Sequence, residues 1–141
     1  MSGAKRIRVL IVEDDFGSRR FLQIVLKDRA RCDVVVDGQE AIEAVGLAWE
    51  ENDPYALILL DIMMPNLDGQ TALKEIRKIE EKIGVRATDQ VKVVMTTALE
   101  DPKNVVEAYH KGGADAYLVK PIDREKLFHI IEDVGLRLGG A

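Results

Sequence analysis

The chain has 141 residues, 47% hydrophobic and 32% charged, which are ordinary proportions for one globular domain. Its net charge of −5, with a basic start confined to residues 5–8, argues against an extended nucleic-acid footprint. Cys32 is the only cysteine, and no apolar run is long enough for a signal peptide or a membrane span. We therefore expect a cytoplasmic protein with one domain over residues 1–141 and a core from about 7 to 138.

Short apolar runs alternate with segments of helical periodicity along the chain. The runs are rich in Val, Ile and Leu and comprise residues 7–12, 32–36, 56–60, 91–95 and 116–119. The third is almost continuously apolar, which is typical of a parallel strand covered on both faces. Apolar side chains with helical spacing lie in the intervals 21–26, 41–48, 73–83 and 127–138.

Capping residues mark the predicted helix boundaries. Asp37 precedes a helix and has Glu40 three residues later, as in a capping box. Residues 101–112 predict another helix, because they begin with Asp-Pro and run into Gly-Gly. Asp123 is the predicted cap of the last helix, and Asp15 is a candidate cap of the first.

This alternation predicts a (βα)5 fold. Strands joined through helices form a parallel sheet with right-handed crossovers, and the helices cover both of its faces. In such doubly wound α/β sheets, ligands bind at the carboxyl ends of the strands, near the point where the strand order reverses. The residues that follow the apolar runs are therefore the candidates for a functional site.

Several polar residues follow the predicted strands. They are Glu13, Asp14 and Asp15 after the first, Asp61 after the third, Thr96 and Thr97 after the fourth, and Lys120 after the fifth. Crowded carboxylates repel one another, and a hard cation such as Mg²⁺ relieves that repulsion. An ionised Asp61 can then act as a nucleophile and take a phosphoryl group as an acyl phosphate. Lys120 and Thr97 would stabilise the negative charge of that group.

Each of these residues also has an ordinary structural interpretation. Asp15 can be only a helix cap, Asp61 a turn former, and the two threonines simply strand residues. Their joint occurrence after four different strands favours a phosphoryl-transfer site over these separate explanations.

Four segments resemble the receiver domains of two-component response regulators, the CheY-like family. They are Val12-Glu13-Asp14, residues 60–69 (LDIMMPNLDG), Thr97-Ala98 and Lys120-Pro121. The similarity extends from about residue 7 to 138 and implies a sheet of strand order 2-1-3-4-5. Because nothing after residue 138 is long enough for an output domain, we expect a stand-alone receiver.

The resemblance implies a phosphoacceptor and a metal site. Asp61 would carry the phosphoryl group, and the cofactor would be Mg²⁺ or Mn²⁺. The implied metal ligands are Asp14, Asp61, the backbone carbonyl of Met63 and, through water, Glu13.

The resemblance also implies phosphoryl-binding and switch residues. Lys120 and Thr97 would contact the phosphoryl oxygens, and Thr97 and Tyr117 would form the switch pair. A cis bond at Lys120-Pro121 is implied as well. The positions of Met63 and Leu99 influence hydrolysis of the acyl phosphate in this family, and their apolar side chains predict slow self-dephosphorylation.

The implied partners are proteins. A sensor histidine kinase or a histidine phosphotransfer protein would supply the phosphoryl group from a phosphohistidine, and the modified domain would bind a downstream target. We expect no direct nucleic-acid or membrane partner, and a monomer or a phosphorylation-dependent dimer.

Other functions remain as alternatives. The chain would be a docking module if it no longer took a phosphoryl group. An aspartyl phosphatase would need a second acid shortly after its nucleophile, where this chain has Met63. Neither GxxxxGK[ST] nor GxGxxG occurs, so the sequence gives no support for nucleotide binding.

Overall fold

A computed structural model describes residues 6–64, 67–97 and 113–140. Its five parallel strands form one sheet in the order β2-β1-β3-β4-β5, which confirms the predicted doubly wound α/β fold. The strands are β1 (Arg8–Val12), β2 (Arg31–Val35), β3 (Leu57–Asp61), β4 (Lys92–Thr97) and β5 (Ala116–Val119).

Helices cover both faces of this sheet. Those in the described residues are α1 (Phe16–Leu26), α2 (Gly38–Glu50), α3 (Gly69–Ile83) and α4 (Arg124–Asp133). The helix predicted over 101–112 lies outside the described residues. Within the described ranges, no helix combines the length and the apolar character that crossing a membrane requires.

Two strands continue further than the apolar pattern predicts. Strand β3 includes Asp61 and β4 includes Thr97, because the parallel ladder pairs Asp61 with Thr96. Polar side chains at a strand end resemble the start of a loop in sequence, although their backbone still belongs to the sheet. The candidate residues are therefore held more rigidly than loop residues would be.

The last helix is shorter than its apolar pattern predicts. The periodicity extends to Leu138, but α4 ends at Asp133 and Gly135 adopts a left-handed conformation, with φ of 89°. Leu138 still packs against the core, from a tail that follows the helix. The N–H of Gly139 in this tail donates to the carbonyl of Arg29 at 2.8 Å.

The core consists of two apolar layers, one on each face of the sheet. On β1, Leu10 and Val12 pack with residues of α2 and α3, whereas Val9 and Ile11 pack with residues of α1 and α4. This alternation follows from the two-residue period of a strand. All five residues of β3 are buried, as expected for the central strand.

An aspartate caps the amino end of each described α-helix. Each carboxylate accepts the N–H of the residue three positions later at 2.8 Å. The caps are Asp15, Asp37, Asp68 and Asp123. Three of them were predicted from the sequence, and Asp68 was not. Such bonds satisfy backbone donors that have no partner inside a helix, and each contributes about 1 kcal/mol.

Candidate functional site

The candidate residues meet at the carboxyl edge of the sheet. Glu13 directly follows β1, Asp61 ends β3, Thr97 ends β4 and Lys120 directly follows β5. These four strands are consecutive neighbours in the sheet. The backbone N–H of Lys120 donates to the carbonyl of Thr97 at 2.6 Å, which joins the ends of β4 and β5.

Three carboxylates form the acid pocket, which consists of Glu13, Asp14 and Asp61. One oxygen from each lies within 4.8 Å of the others. Glu13 and Asp61 are 1% and 4% exposed, whereas Asp14 is exposed. Because buried like charges repel strongly, this arrangement needs a compensating positive charge.

Lys120 supplies part of that charge. Its Nζ lies 2.6 Å from Oε1 of Glu13 and 3.2 Å from Oδ2 of Asp61. Within the described part of the chain, no other basic side chain forms an ion pair with the acid pocket. Burial acts to lower the pKa of Lys120, but the close contact with Glu13 and the charge of Asp61 outweigh it and raise that pKa. One ammonium therefore faces three carboxylates.

Glu13 lies in an environment that disfavours its charge. Burial raises the pKa of its carboxyl group, and the neighbouring carboxylate of Asp61 adds to this effect, while Lys120 and the N–H of Asp15 oppose it. Oε2 accepts the N–H of Asp15 at 3.1 Å. Oε1 contacts Lys120 without the angles of a hydrogen bond and has no other partner in the described residues.

These observations fit a hard divalent cation. The pocket offers carboxylate oxygens only, carries excess negative charge and includes a buried oxygen without a well-directed donor. Oxygen ligands of this type suit Mg²⁺, which is bound by one or two carboxylates together with water.

The backbone around Asp61 fixes its side chain. Oδ1 accepts the N–H of Met63 at 3.1 Å, and the N–H of Ile62 donates to the carbonyl of Thr96 at 2.9 Å. Helix α3 begins directly against this turn, where a Cβ on Gly69 would collide with the carbonyl oxygen of Asp61. The sequence analysis missed this role of Gly69, although a glycine directly after a capping aspartate was a usable signal.

Two further residues support the loop after β1. Asp15 caps α1, and the hydrogen bond from the N–H of Ser18 lowers the pKa of its carboxyl group. Nη1 of Arg19 donates to the carbonyls of Glu13 and Asp14 at 3.2 and 3.5 Å. Asp15 is thus a structural residue, and Arg19 stabilises the backbone that carries the acid pocket.

The remaining predicted residues lie close to these strand ends. Thr97 is buried, and Tyr117 is half-buried against the core layer on the α2 and α3 face. The side chain of Met63 is 59% exposed, and the ligand role of its carbonyl remains a prediction. The Lys120-Pro121 bond is cis, as the resemblance implied. Leu99 lies outside the described residues.

Comparisons with known proteins identify the family of this chain. Residues 9–132 match the model of the response regulator receiver domain. The chain is 31% identical to the chemotaxis protein CheY of Bacillus subtilis, over 88% of this chain and 93% of that protein. It is 35% identical to the transcription factor SKN7 of Candida albicans over 89% of this chain, but it spans only 20% of that protein.

A solved structure gives the same result. The receiver domain of the histidine kinase CKI1 from Arabidopsis thaliana, in complex with Mg²⁺ and BeF3⁻, superimposes with a TM-score of 0.75. The identity is 27%, with 91% of this chain and 89% of that chain covered. From the matched residues, the identities and the shared fold, we conclude that this chain belongs to the response regulator receiver domain family.

Proposed function

We propose that the carboxylate of Asp61 accepts a phosphoryl group from a phosphohistidine. The observation that carries this proposal is the position of Asp61, a nearly buried carboxylate beside two others and 3.2 Å from the ammonium of Lys120. In the transfer, an Asp61 oxygen forms a bond to phosphorus and the P–N bond breaks. The electron pair of that bond stays on the histidine nitrogen, and the product on Asp61 is an acyl phosphate.

The acid pocket would hold the cation for this transfer. Asp14, Asp61 and the carbonyl of Met63 are the proposed ligands of Mg²⁺ or Mn²⁺, with Glu13 acting through water. The bound cation would supply positive charge against the negative charge that the phosphoryl group brings. A receiver domain crystallised with Mg²⁺ and BeF3⁻ supports this assignment by similarity.

Lys120 and Thr97 are the proposed phosphoryl-binding residues. The ammonium of Lys120 already lies 3.2 Å from Asp61, so it is within reach of a group attached there. Thr97 is joined to Lys120 through the backbone, and its hydroxyl would add a hydrogen-bond donor. Each of these contacts strengthens as the phosphoryl oxygens arrive.

The proposed switch connects this event to a protein-binding surface. Tyr117 lies in β5 next to β4, which ends at Thr97. Movement of Thr97 towards the phosphoryl group would change the space open to Tyr117 and shift the domain between two states. The phosphodonor would be a sensor histidine kinase or a phosphotransfer protein, and a downstream protein would bind the modified state.

Phosphorylation with acetyl phosphate tests the proposal. The intact protein with MgCl2 should gain one phosphoryl group by mass spectrometry, and EDTA should prevent the gain. Asp61→Asn should not react, whereas the control Asp33→Asn should react normally, because Asp33 lies in the outer strand β2 and pairs with Arg8, away from the acid pocket. Phosphorylation of Asp61→Asn would contradict the proposal.

The same experiment separates the alternatives. A folded protein that takes neither acetyl phosphate nor a beryllofluoride mimic would be a docking module without phosphorylation. Turnover of a model phosphate ester would instead indicate a phosphatase. The exposed apolar side chain of Met63 cannot orient an attacking water, so we expect slow loss of the phosphoryl group. Release of phosphate within seconds, without a phosphatase, would contradict that expectation.

A further inference from the structure

A groove lies at the edge of the sheet opposite the acid pocket. One wall is the face of α4 that carries Phe128, Ile131 and Glu132, and the other includes Arg29 in the turn after α1. The tail after α4, residues 136–138, closes one end. The cavity volume is about 550 Å³, within the usual range for small-molecule sites.

Positive charge is concentrated around this groove. Arg29 and Arg137 line it. The guanidinium groups of Arg29 and Arg124 lie 5.0 and 5.2 Å from the centroid of the Phe128 ring. Among residues 6–64, 67–97 and 113–140, none of these three arginines forms an ion pair, although Glu132 also lines the groove. In a chain of net charge −5, this local excess of positive charge favours an anionic ligand.

The same groove also presents apolar surface. Ile131 is buried beneath it, and Phe128, Leu136 and Leu138 are half-buried around it. A planar aromatic ring can pack against such side chains or stack on a guanidinium group, whereas a phosphate pairs with arginine through charge-assisted hydrogen bonds. The lining therefore suits a ligand that has both an aromatic ring and a phosphate.

We propose that this groove binds a small aromatic phosphate of the mononucleotide class. The phosphate would pair with Arg29 and Arg137, and the ring would lie against Phe128 and Leu138. The nucleotide-binding motifs that the sequence lacks, GxxxxGK[ST] and GxGxxG, describe glycine-rich loops whose backbone N–H groups hold phosphate. Here the donors are side chains that the fold brings together from distant positions. The proposal is independent of phosphorylation at Asp61.

An NMR titration of the ¹⁵N-labelled protein tests this assignment. AMP, without divalent cations, should give saturating shifts at the amides of residues 29, 128 and 135–138. Adenosine lacks the phosphate and inorganic phosphate lacks the ring, so each should bind at least about tenfold more weakly. The proposal fails if AMP shows no saturation by about 1 mM, if inorganic phosphate binds equally well, or if the largest shifts lie at the acid pocket.

Matched variants test which side chains contribute to AMP binding. Arg29→Gln and Arg137→Gln should each weaken AMP binding about tenfold, because each removes a charged hydrogen-bond donor. Arg20→Gln is the control, since Arg20 is exposed on α1 and does not line the groove. Unchanged AMP affinity in both groove variants, with unchanged thermal unfolding, would overturn the proposal. Asp61→Asn should bind AMP normally. A failure of the groove proposal can therefore be distinguished from a failure of the phosphoacceptor proposal.

Discussion

Each edge of the sheet carries a cluster of charged residues, and the two clusters differ in how far their charges are paired. At the amino edge, the paired cluster consists of Arg8, Arg31, Asp33, Glu51, Asp53 and Tyr55. Arg31 binds Asp53 through two hydrogen bonds of 2.8 and 3.1 Å, and Arg8 lies 2.9 Å from Asp33. The hydroxyl of Tyr55 donates to Asp33 at 2.7 Å, and its ring lies 4.5 Å from the Arg8 guanidinium. At the carboxyl edge, three carboxylates share one lysine.

This difference separates a cluster that is paired within the fold from one that retains excess negative charge. The hydrogen bonds that Arg31 donates to Asp53 raise the pKa of Arg31, so the native fold stabilises the charged form of that arginine. Burial instead raises the pKa of Glu13, so the native fold resists the charged form of that carboxyl group. The paired cluster thus stabilises the native fold by itself, whereas the acid pocket retains excess negative charge that a cation from solution would offset.

The largest loss of stability is expected at Gly69, where helix α3 packs closely against the backbone of Asp61. Gly69→Ala should lower the free energy of unfolding by about 3 kcal/mol, because the added methyl group collides with the Asp61 carbonyl. Gly46→Ala is the matched control, since it has open space on α2 and should raise stability by about 0.5–1 kcal/mol. Urea unfolding measures both. Equal stability of the two variants would show that the contact at Gly69 relaxes without cost.

A smaller loss is expected when the paired cluster is broken. Arg8→Met should cost about 2 kcal/mol, because it leaves Asp33 without its cation and removes the donor to the Asp53 carbonyl. Arg20→Met on the surface of α1 should change stability by less than about 0.5 kcal/mol. Thermal and urea unfolding of both variants provide the comparison. An Arg8→Met protein as stable as the wild type would show that the cluster contributes little.

Matched acid-to-amide changes should have opposite effects at the two edges. Asp53→Asn should destabilise the protein by about 1 kcal/mol, because it weakens a two-bond contact with Arg31. Asp61→Asn should leave the metal-free protein equally or more stable, because it removes one of three crowded negative charges. In EDTA, the midpoint of urea unfolding should fall for Asp53→Asn and should stay the same or rise for Asp61→Asn. The opposite result for either variant would contradict the comparison.

Magnesium provides a second measurement on the same pair of variants. MgCl2 should raise the unfolding midpoint of the wild type and of Asp53→Asn through preferential binding to the native state. It should have little effect on Asp61→Asn. Equal stabilisation of both variants would place the cation outside the acid pocket.

An effect on chemical reactivity, with no change in stability, is expected at Cys32, next to the paired cluster. Burial, together with the charge of Asp33, raises the pKa of its thiol from 9.0 to about 11. At pH 8 the thiolate fraction is therefore about 100-fold below that of an ordinary thiol, and alkylation by iodoacetamide should be correspondingly slow. The rate should increase with pH until about pH 11 and recover in denaturant. Rapid alkylation of the native protein at pH 8 would contradict this expectation.

The sequence predicted most of the fold because apolar periodicity reports burial directly. The buried residues of β3 produced a continuous apolar run, and the strand order followed from the family resemblance. Helix α4 was predicted too long, because Leu138 is buried from a tail and not from a helix. Apolar spacing alone does not distinguish these two cases, whereas the left-handed Gly135 does.

The candidate site was predicted as a set of residues but not as a set of contacts. The position of Asp61, Thr97 and Lys120 at strand ends was enough to predict that they converge. The pairing of Lys120 with Glu13 joins the ends of β1 and β5, which are separated by two other strands, and it leaves no periodic signal in the sequence. The paired cluster was not predicted, for a similar reason. The register of β1 with β2 places Arg8 beside Arg31, and the sequence alone does not show that register.

The tail after α4 determines where a label can be attached. The N–H of Gly139 donates a hydrogen bond to the carbonyl of Arg29, and Gly140, with φ of 82°, lies against the carbonyl of Asp28. A fluorophore or affinity tag joined after residue 140 would thus leave the molecule at the amino edge, whereas Asp61 lies at the carboxyl end of β3. Such a fusion suits assays of phosphodonor access, whereas ligand titrations at Arg29 call for untagged protein, because Arg6 near the amino terminus also lies against Gly139.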